Sequence, residues 1–186
     1  MEKLQDIFSN IGIAEPDVAQ ILARFDTKTF AKNEYLLQAG QVATSIFFVE
    51  RGSILLGQEV EDQSVTRHLA REGAFITCLD SFSRQAPTAE FLKATDPSIV
   101  HCIHQTDFAW AQQQFPAIAT FFQQYIFQTL LKCQQRITDL ISLDAKAYYK
   151  EIMQRSPDYI QHMPQYDLAS YMGIEPQSLS RIRKES

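Results

Sequence analysis

The sequence predicts an α+β fold in which an antiparallel β-sandwich or small barrel precedes a long helix and a smaller helical domain. Between residues 27 and 104, short apolar runs are separated by turn residues such as Gly52, Asp96 and Pro97. This spacing is typical of antiparallel sandwiches and small barrels. Residues 117–143 contain neither Gly nor Pro, which favours one continuous helix. Beyond residue 144 the apolar residues recur at short helical spacing, which indicates a terminal helical domain.

Two short helices are expected before the barrel. Apolar residues recur at intervals of three and four from Met1 to Phe25, and Pro16 suits the first turn of the second helix. Polar residues at 61–64 indicate a turn. The strands of the barrel are expected in the apolar runs 35–37, 45–50, 53–56, 65–69, 88–94 and 98–103.

The long helix is expected over residues 116–143, which corresponds to roughly 40 Å at 1.5 Å per residue. Two sets of apolar residues follow this helix, and one of them is spaced by threes and fours as in a coiled coil. We expect one face to pack on the barrel and the other on a second copy of the chain. The alternative is a helix buried wholly within one chain. The predicted dimer seam consists of Phe122, Ile126, Leu130, Cys133, Ile137 and Leu140.

Residues 168–182 have the spacing of a helix-turn-helix. This motif needs a small residue where its helices cross and a glycine in the turn, and Ala169 and Gly173 occupy those positions. Pro176 suits the first turn of the second helix. A helix over residues 144–155 with Asp144 as its N-cap is expected to precede the motif. The predicted scaffold consists of Leu168, Ala169, Gly173, Ile174, Leu179 and Ile182.

The outward face of the second helix is polar and basic. Arg can form two hydrogen bonds with guanine and Gln with adenine, while Ser can contact a base or a phosphate. Residues near the helix N-terminus enter the DNA groove deepest, which favours Gln177, Ser178 and Arg181 as base readers. Phosphate contacts are expected further along the helix, at Arg183 and Lys184. The predicted DNA-binding residues are Gln177, Ser178, Ser180, Arg181, Arg183 and Lys184.

Two less specific interpretations of this run remain open: a helical hairpin used only for packing, and a solvated surface. The net charge of −5 is not that of a general nucleic-acid binder. Local charge decides whether phosphate is contacted, so the overall charge does not exclude a specific DNA reader.

The order of these elements resembles that of the Crp/Fnr family of transcription regulators. Residues 177–181 are similar to the family's Glu-x-x-Ser-Arg reading motif, with Gln177 in place of the acidic residue, and residues 47–52 are similar to its strand and glycine turn. The resemblance implies a jelly-roll, cyclic-nucleotide-binding-like sensor barrel with N-terminal helices over 1–115. It also implies a dimerisation helix over 116–143 and a helix-turn-helix DNA-binding domain over 144–186. A C-terminal wing is not expected.

This resemblance implies a homodimer that regulates transcription by binding double-stranded DNA. RNA polymerase and an unidentified small-molecule effector are further candidate partners. The cyclic-nucleotide cassette of such barrels has a Gly-Glu-Leu stretch and a later Arg, but Ala74 occupies the Glu position here, and Ala86 or Pro87 the Arg position. A buried phosphate would lack its counter-charge, so neither cyclic AMP nor cyclic GMP is expected, and no cofactor is predicted. An effector pocket would be lined by Thr77, Cys78, Arg84 and Thr88.

Catalytic and metal chemistry find little support in the sequence. His101 and His104 are three residues apart on an expected strand, which places them on opposite faces. The three cysteines are far apart, so they suggest neither a disulfide framework nor a zinc, iron–sulfur or haem site. No Gly-x-Ser-x-Gly elbow or phosphate-cradling glycine loop is present, so no catalytic residue, metal or enzyme activity is predicted.

The remaining expectations concern location and an alternative function. No run of about 18 apolar residues and no signal peptide is present in the sequence, so a cytoplasmic protein without a membrane segment is expected. The alternative function is a ligand-binding or protein-interaction module on the same barrel that does not bind DNA.

Overall fold

The computed structural model describes residues 1–61 and 63–185, which form two antiparallel sheets flanked by helices. Asp62, in the expected polar turn, and Ser186, at the end of the expected DNA-binding domain, lie outside the described residues. The elements in chain order are α1 (Glu2–Asn10), α2 (Glu15–Leu22), β1 (Phe25–Phe30), β2 (Tyr35–Leu37), β3 (Ser45–Arg51), β4 (Ser53–Val60), β5 (Gln63–Arg71), β6 (Phe75–Ile76), α3 (Leu79–Arg84), β7 (Glu90–Ala94), β8 (Ser98–His104), α4 (Gln105–Gln114), α5 (Pro116–Ser142), α6 (Ala145–Arg155), α7 (Pro157–His162), α8 (Gln165–Met172) and α9 (Pro176–Glu185).

The two sheets pack face to face as a jelly roll. One sheet has the order β1-β8-β3-β6 and the other β2-β7-β4-β5, and the paired strands are antiparallel. Fully buried apolar residues from both sheets form the core between them, because alternate residues of each strand point inward. These core residues include Phe48, Val49, Ile54, Leu92 and Ile103. The expected α+β fold with an antiparallel barrel is confirmed.

The sequence did not predict three elements of the barrel: the strands β1 and β6 and the helix α3. β1 pairs with β8 at the edge of its sheet, where Phe25 faces Ile103 and Phe30 faces Ser98. Only Phe25 of this strand is buried, and four exposed residues follow it. A strand this polar carries little of the apolar alternation on which the prediction depended. β6 and α3 are too short, at two and six residues, to show a period.

The long helix α5 begins at Pro116 and ends at Ser142, close to the expected bounds. Its first half packs on the barrel. The ring centroid of Phe122 lies 4.8 Å from that of Phe75 and 4.7 Å from that of Phe108. Phe122 is only 5% exposed, so its assignment to the dimer seam was wrong: the side chain belongs to the core of one chain. Spacing by threes and fours identifies an apolar stripe without identifying its partner.

The helices after α5 pack on the outer face of the second sheet. Leu55, Leu69 and Phe91 of that sheet form a second buried cluster with apolar residues of α6, α8 and α9. The C-terminal helices therefore share a core with the barrel. Among the described residues, no helix is long and apolar enough to cross a membrane.

Candidate nucleic-acid interface

α8 and α9 form the helix-turn-helix, and Gly173 makes the turn. Its φ of +68° lies in the left-handed region, which glycine adopts without steric cost. The amide of Gly173 donates to Ser170 O at 3.1 Å, and that of Ile174 donates to Ala169 O at 3.0 Å. This pair of bonds is a Schellman motif, which satisfies the last carbonyl groups of α8. Pro176 is the first residue of α9, where the absence of its N–H is harmless.

The scaffold residues lie in the positions that the motif requires. Leu168, Ala169 and Leu179 are fully buried, Ile182 is 9% exposed, and Ile174 is half-buried. They pack on Tyr148 and neighbouring residues of α6. This helix begins at the N-cap Asp144, whose Oδ1 accepts a hydrogen bond from Ala147 N at 2.8 Å. Local capping and burial together fix α9 relative to α8.

α9 presents the candidate DNA-binding residues on the side opposite its buried residues. The side chains of Gln177, Arg181 and Lys184 are exposed, and those of Ser178 and Ser180 are half-buried. Arg183 is also exposed, but its Nη2 donates to Ile160 O of α7 at 2.9 Å. This bond uses one of its donors to hold α9 on α7.

The acidic residue at the end of α9 is partly neutralised. Lys146 Nζ of α6 lies 2.9 Å from Glu185 Oε2. The hydrogen bond from Lys146 lowers the pKa of Glu185, and the charge of Arg181 adds to this effect. Glu185 therefore opposes an approaching phosphate less than an unpaired carboxylate would.

Contacts with the edge strand β5 hold the helix-turn-helix on the barrel. Ser170 Oγ of α8 accepts from Thr66 N at 2.9 Å and donates to Ser64 O at 3.0 Å. Arg136 Nη2 of α5 donates to Thr66 O at 3.3 Å and to Tyr171 O at 2.8 Å. Its guanidinium also lies 4.2 Å from the ring centroid of Tyr171. These contacts were not predicted, because nothing in the local pattern links residues that are 35 to 106 positions apart.

A histidine–tyrosine pair makes a second connection between β5 and the C-terminal helices. Tyr159 OH lies 2.8 Å from His68 Nδ1 and accepts a hydrogen bond from Leu69 N at 3.4 Å. Burial, followed by the charges of Lys132 and Arg136, lowers the pKa of His68 to about 4. The imidazole is therefore neutral near pH 7, and its Nδ1 can accept a hydrogen bond from the tyrosine hydroxyl.

The four residues expected to line an effector pocket do not form one group. Cys78 is buried, and its pKa is raised to about 12, first by burial and then by Glu90. Thr88 is the residue whose side-chain hydrogen bond opposes this rise, so these two residues do lie together. Thr77 is half-buried and donates to Ser45 O at 2.9 Å.

Arg84 was wrongly included in the pocket. Its guanidinium Nε lies 2.9 Å from Asp80 Oδ1, and the side chain is 74% exposed. The two residues are four apart on the exposed side of α3, a spacing that favours an ion pair between neighbouring helical turns.

The rest of the predicted dimer seam is exposed. Of the apolar residues on α5, Ile126 is 43% exposed, Leu130 51%, Ile137 56% and Leu140 39%. Cys133 lies among them and is also exposed. Phe127 and Ile141 extend this surface, at 57% and 80% exposed. Together the seven residues form one side of α5, which we call the apolar stripe: Ile126, Phe127, Leu130, Cys133, Ile137, Leu140 and Ile141.

No protein-family model and no curated protein matches this sequence, but solved structures share its fold. A variant of CooA from Carboxydothermus hydrogenoformans is 16% identical, with a TM-score of 0.75 over 98% of this chain and 83% of that one. CLP from Xanthomonas campestris is 15% identical, with a TM-score of 0.74 over 92% of this chain and 91% of that one. The catabolite activator protein of Thermus thermophilus is 15% identical, with a TM-score of 0.60 over 94% of this chain and 84% of that one. The chain therefore has the Crp/Fnr-type fold.

Proposed function

We propose that the protein is a homodimeric regulator of transcription that reads specific DNA sequences through α9 and has no enzymatic activity. The observation that carries this proposal is the polar and basic face of α9, held outward by a complete helix-turn-helix scaffold. Structures of the same fold support it: CLP is a c-di-GMP-responsive global regulator that links cell–cell signalling to virulence gene expression.

The residues of α9 divide into two roles. The side chain of Arg181 makes no hydrogen bond or salt bridge within the described part of the chain, so its guanidinium is available to guanine. Gln177 and Ser178 precede it near the start of the helix, the part that enters a major groove first. Arg183, which is anchored to α7, and Lys184 then contact phosphate and orient the helix without specifying sequence.

The apolar stripe of α5 is the proposed contact between two copies. Exposed apolar residues concentrated on one side of a 27-residue helix gain free energy when a matching helix covers them. Two copies related by a two-fold axis would present two reading helices to successive major grooves, about 34 Å apart. The expected target is therefore a pseudo-palindromic duplex.

The interior of the barrel is proposed not to bind cyclic AMP or cyclic GMP. Ala74 supplies no carboxylate for a ribose, and Arg84 lies on the surface. In addition, Glu90 lies beside Cys78 and pairs with the guanidinium of Arg67. A carboxylate in this position repels a phosphate, and its pairing occupies the nearby cation.

Selection of binding sites from randomised duplexes tests the proposed function. The purified protein should enrich a pseudo-palindromic site, and its affinity should fall steeply as salt rises. Arg181→Ala should weaken binding to that site by about 1–3 kcal/mol, with a smaller loss on unrelated DNA. Lys184→Ala is the matched control, because loss of a phosphate contact should weaken binding to both duplexes alike.

Two results would contradict the proposal. If a verified dimer enriched no sequence, the alternative of a ligand-binding or protein-interaction module would be favoured. If Arg181→Ala weakened both duplexes equally, Arg181 would not be a base reader.

A further inference from the structure

Two adjoining cavities lie between the barrel and the C-terminal helices, outside the jelly-roll core. The larger has a volume of about 540 Å³ and the smaller about 240 Å³. Both are lined by residues of β5, α5, α6 and α7, and His68, Lys132 and Tyr159 line both. We call the pair of cavities the interdomain cleft.

The smaller cavity contains buried polar groups that lack a well-formed hydrogen bond among the described residues. Tyr148 is 4% exposed, and its buried hydroxyl makes no well-formed hydrogen bond among the described residues. Burial raises the pKa of Tyr148, and the neighbouring side chains of Arg136 and Tyr171 oppose this rise, so both lie close to the hydroxyl without satisfying it fully. Nε of Arg136 also lacks a well-formed hydrogen bond among these residues, although the Nη2 of this side chain is bonded. Buried donors without acceptors cost free energy. A ligand oxygen that accepted from both groups would recover it.

The charge of the smaller cavity favours an anion. Four basic residues line it and only two acidic ones, Asp139 and Glu151. Both acidic residues are held by Arg155, whose Nη1 lies 2.8 Å from Asp139 and whose Nη2 lies 2.7 Å from Glu151. The side chain of Lys132 has no hydrogen bond or ion pair within residues 1–61 and 63–185, and that of Arg67 is paired with Glu90. Lys132 is therefore a cation available at the junction of the two cavities.

The larger cavity has aromatic walls. Phe121 and Tyr125 of α5 line one side, and Tyr159 of α7 lines another. Arg71 and Asp158 are the further charged residues that line this cavity alone. Aromatic side chains pack against other rings through their faces and edges, so this space suits an aromatic group of the size of a fused bicycle.

We propose that the interdomain cleft binds a small aromatic anion. Its anionic group accepts from Tyr148 OH and Arg136 Nε and pairs with Lys132, and its rings occupy the larger cavity. Most cleft residues of α5 lie on the side opposite the apolar stripe, because successive residues turn by about 100° around a helix. Cys133 of the stripe also lines the smaller cavity, where the two surfaces meet. The proposal is independent of DNA binding: it would stand if the protein read no DNA.

Bound ligand would touch both β5 and the C-terminal helices. It would therefore strengthen their contact by binding only the docked arrangement. The amides of Thr66 and Leu69, which donate to Ser170 and Tyr159, report this contact directly. Their hydrogen exchange should slow when ligand is present.

Calorimetric titration with 1-naphthyl phosphate tests the proposal. This probe should bind more tightly than either 1-naphthol or inorganic phosphate, because only the ester fills both cavities. Tyr148→Phe should weaken its binding about tenfold, as expected for loss of a hydrogen bond to a charged group. The variant should unfold at about the same urea concentration as the parent, since the hydroxyl makes no well-formed hydrogen bond within the described residues. Tyr149→Phe, on the neighbouring buried tyrosine that does not line the cleft, should bind like the parent.

A second pair of variants tests the proposed ion pair between Lys132 and the anionic group of the ligand. Lys132→Met should weaken 1-naphthyl phosphate about tenfold or more, whereas Lys150→Met, on an exposed lysine of α6 outside the cleft, should not. Three results would each overturn the proposal: no binding of the probe at millimolar concentration, unchanged affinity in Tyr148→Phe and Lys132→Met, or binding that leaves exchange of the Thr66 and Leu69 amides unchanged.

Discussion

Gly173 reverses the chain between α8 and α9 through a single positive dihedral angle. A Cβ at this position would meet only Leu140 Cδ2, at 3.6 Å, so space is available and only the backbone conformation is demanding. Gly173→Ala should destabilise the protein by about 1 kcal/mol, measured as the free energy of unfolding in urea. Gly173→Asn is the matched variant and should cost less, because asparagine tolerates the left-handed region. Equal stabilities of the alanine variant and the parent would mean that the turn can relax.

Single residues could be predicted where the chemistry is local. The glycine of the turn, the cap Asp144 and the buried Leu179 each follow from neighbours within four or five positions. Arg84 could not be assigned correctly, because Asp80 and a family cassette compete for it and only the structure shows which one it meets. The candidate readers Gln177 and Arg181 lie on an exposed face, as expected, but their contact with bases stays a prediction.

The helix α5 supports a test at the scale of an element. Leu130→Glu places a charge in the middle of the apolar stripe, at a side chain that is 51% exposed within one chain. The charge should cost little in the monomer but would be buried in a dimer. The dimer dissociation constant should rise at least about a hundredfold, as measured by sedimentation velocity. Gln128→Glu, an exposed position on the opposite side of α5, provides the same charge change and should leave the dimer intact. A dimer unaffected by Leu130→Glu would place the interface elsewhere.

A whole helix could be predicted where a residue typical of helix ends precedes a long stretch of apolar residues at helical spacing. Pro116 and the uninterrupted helical sequence after it defined α5, and the N-cap Asp144 defined the start of α6. β1 has neither signal, since its polar residues alternate only weakly with the apolar ones. The change from a buried side chain at Phe122 to an exposed one at Ile126 depends on the position of Phe75, which the spacing of apolar residues in the sequence does not indicate.

Protonation of His68 at acidic pH should lower the free energy of unfolding of the protein. Its pKa in the folded protein is about 4, below the ordinary 6.5, so the unfolded chain binds a proton more readily between these values. The contribution of His68 to the free energy of unfolding is therefore fully present above about pH 6.5. It is lost as the pH drops toward 4, and this loss amounts to at most about 3 kcal/mol. His101, whose pKa is also lowered by burial, adds to the same loss.

Urea unfolding at neutral pH and near pH 5 measures this effect. His68→Gln should show a smaller loss of stability between the two conditions than the parent. His104→Gln, at an exposed histidine, should lose as much as the parent does. If His68→Gln lost as much stability as the parent, protonation of His68 would not be linked to unfolding.

The attachment of the C-terminal helices to the barrel is the part of the molecule that sequence could not supply. Ser170 and Thr66 are 104 positions apart, and Tyr159 and His68 are 91 apart. Neither pair stands out by residue type, because serine, threonine, tyrosine and histidine are common at surfaces. Their meeting depends on the direction in which α5 leaves the barrel.

The position of Ser170 against β5 has a consequence for solubility. β5 is the last strand of its sheet, and an open strand edge invites pairing with the edge of another molecule. Ser170 and Arg136 occupy the amide of Thr66 and the carbonyl groups of Ser64 and Thr66, which are the groups that a foreign strand would use. The helix-turn-helix therefore also protects the edge of β5. A barrel without these helices would expose unpaired backbone groups on this strand and would be expected to aggregate.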